Sequence, residues 1–223
     1  MSPSNRPCAS WVAAITVAAP AILPVPAQAA EVYVPLGVPG IGIGFAQPIG
    51  PLFAIRADFM TLGQRDKSGV EEGIRYRGDY RLRRSALLVD LFPLSGAFRV
   101  TAGATFNQYE IAMDGSGADG TLVIGDRTYT TSAADGLNVA IRFPKTTPYL
   151  GIGWGHQMGE GLRFSFDLGA SIGKAKLSAQ ARGQLATQPD IQANIDKEVA
   201  QLQGGVGKLR ALPQLSISLG YSF

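Results

Sequence analysis

The sequence predicts an all-β chain: a closed antiparallel up-and-down transmembrane β-barrel of 8 strands, with a short helix in its last long loop. Four observations predict it. Segment after segment alternates apolar and polar residues, with arginine and aspartate at mid-strand on the polar faces. The apolar faces run almost free of charge for about ten residues, the length a tilted strand needs to cross a bilayer. The connections between segments alternate short and long. Finally, a leader-like stretch stands at one end, and the strand LSISLGYSF (215 to 223) stands at the other.

Residues 1 to 29 read as a secretory signal peptide. A short polar stretch whose only charge is Arg6 leads into WVAAITVAAPAILPV, and Ala27-Gln28-Ala29 forms a small-x-small cleavage site. The apolar run is short and interrupted by Pro20 and Pro24, so it is not a membrane span. Residues 30 to 223 form the predicted barrel. Cys8, the only cysteine, lies in front of the apolar run and leaves with the leader. The mature chain is therefore neither a disulfide scaffold nor a thiolate metal site. Losing Arg6 from the 20 basic residues leaves 19 against 17 acidic ones, a net +2. Such a small excess gives no reason to expect nucleic acid as a partner.

The first barrel segment, 31 to 47, is expected to hold two strands folded near Val38-Pro39-Gly40. Six alternating segments then follow at roughly 52 to 63, 74 to 92, 97 to 113, 137 to 156, 162 to 182 and 209 to 223. With both ends on the same side of a membrane the count must be even, hence eight. In the second of the six, Leu87, Val89 and Leu91 oppose Arg84, Ala86 and Asp90; in the third, Phe98, Val100, Ala102, Ala104 and Phe106 oppose Arg99, Thr101 and Asn107. Between 137 and 156 the parity slips: Leu137, Val139 and Ile141 do not share a face with Leu150, Ile152 and Trp154. A bulge around Pro144 to Pro148 would restore the apolar face. Tight turns are expected at 48 to 51, 93 to 96 and 157 to 161, and long loops near 63 to 73, 114 to 136 and 183 to 208. Within the last loop, Ile191, Ile195, Val199 and Leu202 recur at helical spacing after Asp190, and Gly204-Gly205 marks a stop.

The terminal strand with Phe223, together with PYLGIGWG (148 to 155) and FSFDLGASIG (164 to 173), resembles the small outer-membrane β-barrel proteins of Gram-negative bacteria, the broad OmpA/OmpW-like superfamily. The resemblance covers the mature chain, and its motifs are architectural. It implies a bacterial outer-membrane location and short turns facing the periplasm. It also implies recognition of the C-terminal strand by the outer-membrane assembly machinery. The implied partners are outer-membrane lipid and lipopolysaccharide, for a monomer with no cofactor.

Eight strands enclose an interior only wide enough for side chains. Pairing across the 93 to 96 turn would set Asp90 opposite Arg99, with Arg56 and Asp58 at similar depth on the preceding strand. With Arg163 and Asp167 these form the expected lumen charge network, and Gly42, opposite Arg56, would leave room for a guanidinium. The network reads as side chains that fill and neutralise the tube, with a gated or ion-conducting core as the competing reading. Arg75, Arg77, Arg81 and Arg83 share the outward parity at and above the outer interface, where they could contact lipopolysaccharide phosphate. Glu71, Glu72 and Asp79 partly balance them. Phe92, Tyr149, Trp154 and Phe223 are expected in the interfacial aromatic girdle. His156, the only histidine, is expected to face out with Trp154, away from Ser165 and Asp167, so no Ser-His-Asp constellation forms and no catalytic residue is assigned. No metal-ligand cluster is visible.

The leading function is a non-enzymatic integral barrel whose loops contact envelope or external partners. The alternatives are a narrow conduit for small hydrophobic molecules with helix 190 to 203 as a lid, and a soluble lipocalin-like barrel with its apolar residues inside.

Overall fold

The computed structural model describes residues 29–71, 74–117, 120–132, 134–206 and 210–223. The expected signal peptide, save Ala29, and Glu72 lie outside the described residues. Among the described residues there are twelve strands and one α-helix, and eight of the strands close into a ring. In chain order they are β1 (Glu31–Gly37), β2 (Gly40–Pro48), β3 (Phe53–Glu71), β4 (Ile74–Leu91), β5 (Phe98–Gly117), β6 (Thr121–Ile124), β7 (Arg127–Thr130), β8 (Gly136–Arg142), β9 (Thr146–Trp154), β10 (Gly161–Ile172), β11 (Lys176–Arg182) and β12 (Ala211–Ser222). A 3₁₀ turn (Gly183–Thr187) and α1 (Ile191–Val206) stand between β11 and β12.

Ring closure follows from the antiparallel pairings. Strands β1 to β5 pair in succession, β5 pairs with β9, β9 with β10, β10 with β12, and β12 returns to β1. The closing ladder runs from Glu31↔Ser222 to Gly37↔Ser216. Ala30 and Phe223 exchange backbone hydrogen bonds of 3.1 and 3.0 Å beyond it. Closure leaves the ring no edge strand, the condition for a β-structure to cross lipid.

Two of the segments expected as single strands are broken. The run 137 to 156 is β8 and β9 with residues 143 to 145 between them, and 162 to 182 is β10 and β11 with 173 to 175 between. Pro144 has no N–H for the ladder, which is why the break falls there. Past the break β8 pairs with the far half of β5, and β11 pairs with β8. The expected loop 63 to 73 is instead mostly strand: β3 and β4 continue past a register shift at Thr61/Gly63 as a long hairpin. Beyond the ring, therefore, β3, β4, β5, β8 and β11 form an extension on the long-loop side.

The alternation decides the faces once the ring closes. Val32, Val34, Ile43, Phe59, Val89, Leu150, Phe164, Leu219 and Phe223 are exposed on the outside, while Arg56, Asp90 and Arg99 are fully buried inside. A soluble barrel with an apolar interior is thus excluded, because the charged face encloses the tube. Among the described residues no helix is long and apolar enough to cross a membrane.

The helix is one half of a small apolar cap. Ile191 and Ile195 are buried with Leu122, Ile124 and Leu185, against Leu137, Ala179, Ala181 and Val199. Leu202 stays exposed, and the helix continues through Gly204 and Gly205 to Val206. Those glycines do not end it, since packing of the preceding turns offsets the roughly 1 kcal/mol each costs. The cap leans on β11 and the β6–β7 hairpin, clamped by Asn194 Nδ2 donating to Tyr129 Oη (2.6 Å) and Leu177 N–H donating to Gln203 Oε1 (2.8 Å).

Candidate functional site: a charged lumen

Charges on the inward faces meet in layers. In the central one, Arg56 reaches Asp90 through Nε (2.5 Å) and Asp167 through Nη2 (3.0 Å). Arg99 Nη1 lies 2.8 Å from Asp167 and 3.6 Å from Asp90. Its Nε donates to the Gly155 carbonyl at 3.1 Å. Thr101 Oγ1 donates to Asp90 at 2.6 Å. Two cations therefore face two anions with almost no water contact, a geometry in which each partner is needed to offset the other's desolvation.

The layer above is built around Arg84, which pairs with Asp58 and hydrogen-bonds Gln214. Tyr33 Oη approaches Asp58 at 3.4 Å. Higher still, hydroxyls take over. Thr105 lies 2.7 Å from Thr147 and 2.8 Å from Ser171, and Asn107 Nδ2 donates to Thr147 at 2.9 Å. At the short-turn end, His156 Nδ1 sits 2.9 Å from Glu31 Oε1 with its ring 4.4 Å from that of Tyr33.

Arg56, Asp58, Asp90, Arg99 and Asp167 thus stand together, joined by Arg84. Arg163 does not join them: it lies at the short-turn rim, donating to the Met158 carbonyl at 3.5 Å. Four residues separate it from Asp167, about 13 Å along a strand. The expected register also needs correction. Asp90 pairs with Thr101, not Arg99, because the turn is longer than four residues, and Arg99 reaches Asp90 diagonally. Gly42 lies opposite Met60, and Ala46 opposite Arg56.

The girdle expectation fails for two residues. Trp154 and Phe223 face out, but Phe92 and Tyr149 are each only 3% exposed inside the barrel. Tyr149 has the parity opposite to Leu150, Ile152 and Trp154, so the alternation of β9 turns it inward. Phe92 shares the inward parity of Asp90. His156 is a further correction: at 1% exposure it faces inward. Gly155 (φ 94°) and His156 (φ 59°) leave the strand in the left-handed region, which turns the ring back into the tube.

Tyr33, Glu31, Arg84 and Gln214 complete the site without having been singled out. Arg84 shares the parity of Asp90, which is the signal that could have found it. For Tyr33 the signal is glycine: it pairs with Gly44 on one side and Gly220 on the other. A Cβ on Gly44 would lie 2.1 Å from its ring. The outward arginines Arg75, Arg77, Arg81 and Arg83 all lie exposed on β4.

No protein-family model matches the chain, and no curated protein does. Among solved structures it is similar to Acinetobacter baumannii CarO2, with a TM-score of 0.56 at 17% identity over 88% of this chain and 99% of that one. It is also similar to Acinetobacter baumannii CarO, with a TM-score of 0.51 at 16% identity over 91% of this chain and 99% of that one. With the closed ring and the lipid-ready outer face, the likeness gives this chain the fold of an outer-membrane β-barrel.

Proposed function

We propose that this chain is a non-enzymatic, monomeric integral protein of a bacterial outer membrane whose lumen is sealed by its own side chains and whose capped extension is its outward-presenting part. One observation carries the reading. Between the two charged layers, Tyr33, Arg56, Arg84, Tyr149, Asp167 and Gln214 leave a cavity of only about 10 Å³. A single water needs at least about that much, so this space has room for about one water and not for a wide aqueous channel. The termini and short turns lie at the opposite end from the cap, which sets the cap outside if the C-terminal strand is delivered from the periplasm by the assembly machinery.

Planar-bilayer recording of the refolded protein tests the proposal. The expected trace is closed, without steady conductance, and a steady ohmic pore in the wild type refutes the sealed lumen. Fractionation tests the location: recovery without detergent refutes the integral reading.

A further inference from the structure

The outer wall carries a groove that changes chemistry at one height. Its lower part, about 570 Å³, runs between Phe45, Phe59, Leu87 and Phe106 over the small residues Ala57 and Ser85. Its upper part, about 380 Å³, shares Phe59, Ser85 and Phe106 and opens between Arg83 and Lys145. The Asp58 carboxylate beneath it is turned inward to Arg84. An acyl-chain-sized apolar channel thus ends under two cations.

The cross-strand rows show how Arg83 differs from Arg81 and Arg77. The row Thr61–Arg83–Gln108 holds no carboxylate. Above it, the rows of Arg81, Asp79 and Arg77 hold at least one, whereas the row of Arg75, between Val70 and Ser116, does not. Arg81 lies across from Glu110, which Arg142 also binds at 2.6 Å. Asp66 faces Asp79. Arg77 faces Asp114, which holds Arg182 at 2.9 Å. Among the described residues, the side chains of Arg83 and Lys145 have no hydrogen-bond or ion-pair partner, although the Lys145 carbonyl accepts from the Asn107 N–H at 2.6 Å. Lys145 owes its position to the break before β9, where it and Thr146 are exposed in succession.

Arg75 and Arg77 belong to another environment. Eight residues above Arg83, Arg75 stands about 26 Å further along the strand, or about 20 Å along the barrel axis at the usual tilt. The four outward arginines are therefore not one stripe at one depth. Only Arg83 lies directly on the apolar wall.

We propose that the Arg83/Lys145 groove is a specific site for one lipid, the phosphorylated, multiply acylated glycolipid of the outer leaflet. Its phosphate sits between Arg83 and Lys145, and an acyl chain lies over Ala57 and Ser85. The proposal rests on the outer-membrane reading above, which places this end of the belt in the outer leaflet. Arginine grips phosphate bidentately, and the lysine adds a second charge from the neighbouring wall.

Native mass spectrometry of the refolded, delipidated protein, titrated with diphosphorylated lipid A, tests it. Heat-shift gels first establish that each protein is a folded barrel, so failure of the barrel reading is seen separately. Arg83→Gln/Lys145→Gln, surface changes that leave the lumen intact, should weaken lipid A binding about tenfold or more. Ser85→Phe, which fills the channel, should weaken it too, whereas Arg75→Gln/Arg77→Gln should bind like the wild type. Wild-type binding by the Arg83/Lys145 variant overturns the site, as does an equal loss in the Arg75/Arg77 variant. Equal affinity for phosphatidylglycerol overturns the choice of glycolipid.

Discussion

Asp90→Asn probes the proposed sealed lumen most directly. The carboxylate is 0% exposed, forms an ion pair with Arg56 Nε at 2.5 Å, and accepts hydrogen bonds from Arg56 Nη2 and Thr101 Oγ1. The substitution keeps the shape but leaves Arg56 and Arg99 sharing Asp167, two buried cations to one anion. Two charge-assisted hydrogen bonds lose their ionic partner, at about 1.5 to 3 kcal/mol each. That matches the roughly 3 to 5 kcal/mol expected when one member of a buried pair is removed. No discount for solvent screening applies, because both side chains are buried. The assay is reversible guanidinium unfolding from detergent micelles, followed through the lipid-facing Trp154. The double variant Arg56→Met/Asp90→Leu removes the pair together and should recover most of the loss, since a buried pair and well-packed apolar residues are nearly equivalent in energy. An Asp90→Asn protein within about 1 kcal/mol of wild type would refute the reasoning, as would a double variant worse than the single.

Two further expectations follow from the geometry. Gly44→Ala places a methyl 2.1 Å from the buried Tyr33 ring and should destabilise the barrel by about 1 to 3 kcal/mol. Gly78→Ala, whose nearest new neighbour is 3.7 Å away, should be near neutral in the same guanidinium titration. In the cap, the Asp135 carboxylate accepts from the Ser132 N–H (2.8 Å) and hydroxyl (2.8 Å) and from the Leu185 N–H (3.2 Å). These donors, the Ser132 N–H foremost, hold its carboxyl below the ordinary value of 3.8. A depressed folded pKa means the contact is fully present above the ordinary carboxylate range and is lost as pH falls through the lowered value. The Ser132 and Leu185 amide NMR shifts should therefore move only below 3.8 and stay flat in Asp135→Asn, and a midpoint above 3.8 would contradict the contact.

The legible part of the site is the part carried by parity within one strand. Arg56, Asp90, Arg99 and Asp167 sit mid-strand among polar neighbours, and alternation alone puts them on one face. The same rule, applied strictly, turns Tyr149 and Phe92 inward, where girdle chemistry had suggested the outside. His156 escaped because it follows a strand end, where Gly155 and its own left-handed backbone break the alternation. Tyr33 escaped because its space comes from glycines on two other strands, Gly44 and Gly220. Register across turns was equally out of reach, since the 92 to 97 turn shifts Asp90 from Arg99 to Thr101.

By itself the sequence determined two-faced strands, their number in the ring, the apolar band and the helix with its apolar stripe, because periods of two and of 3.6 residues are properties of a single segment. Only the tertiary structure decided which face is inside, through a closing ladder between Glu31 and Ser222 at opposite ends of the described chain. It also decided which charges meet, where the cap docks, and that Arg83 and Lys145 stand together while Arg75 and Arg77 stand apart. Those are relations between strands, fixed by turns, breaks and long-range pairing that no local pattern encodes.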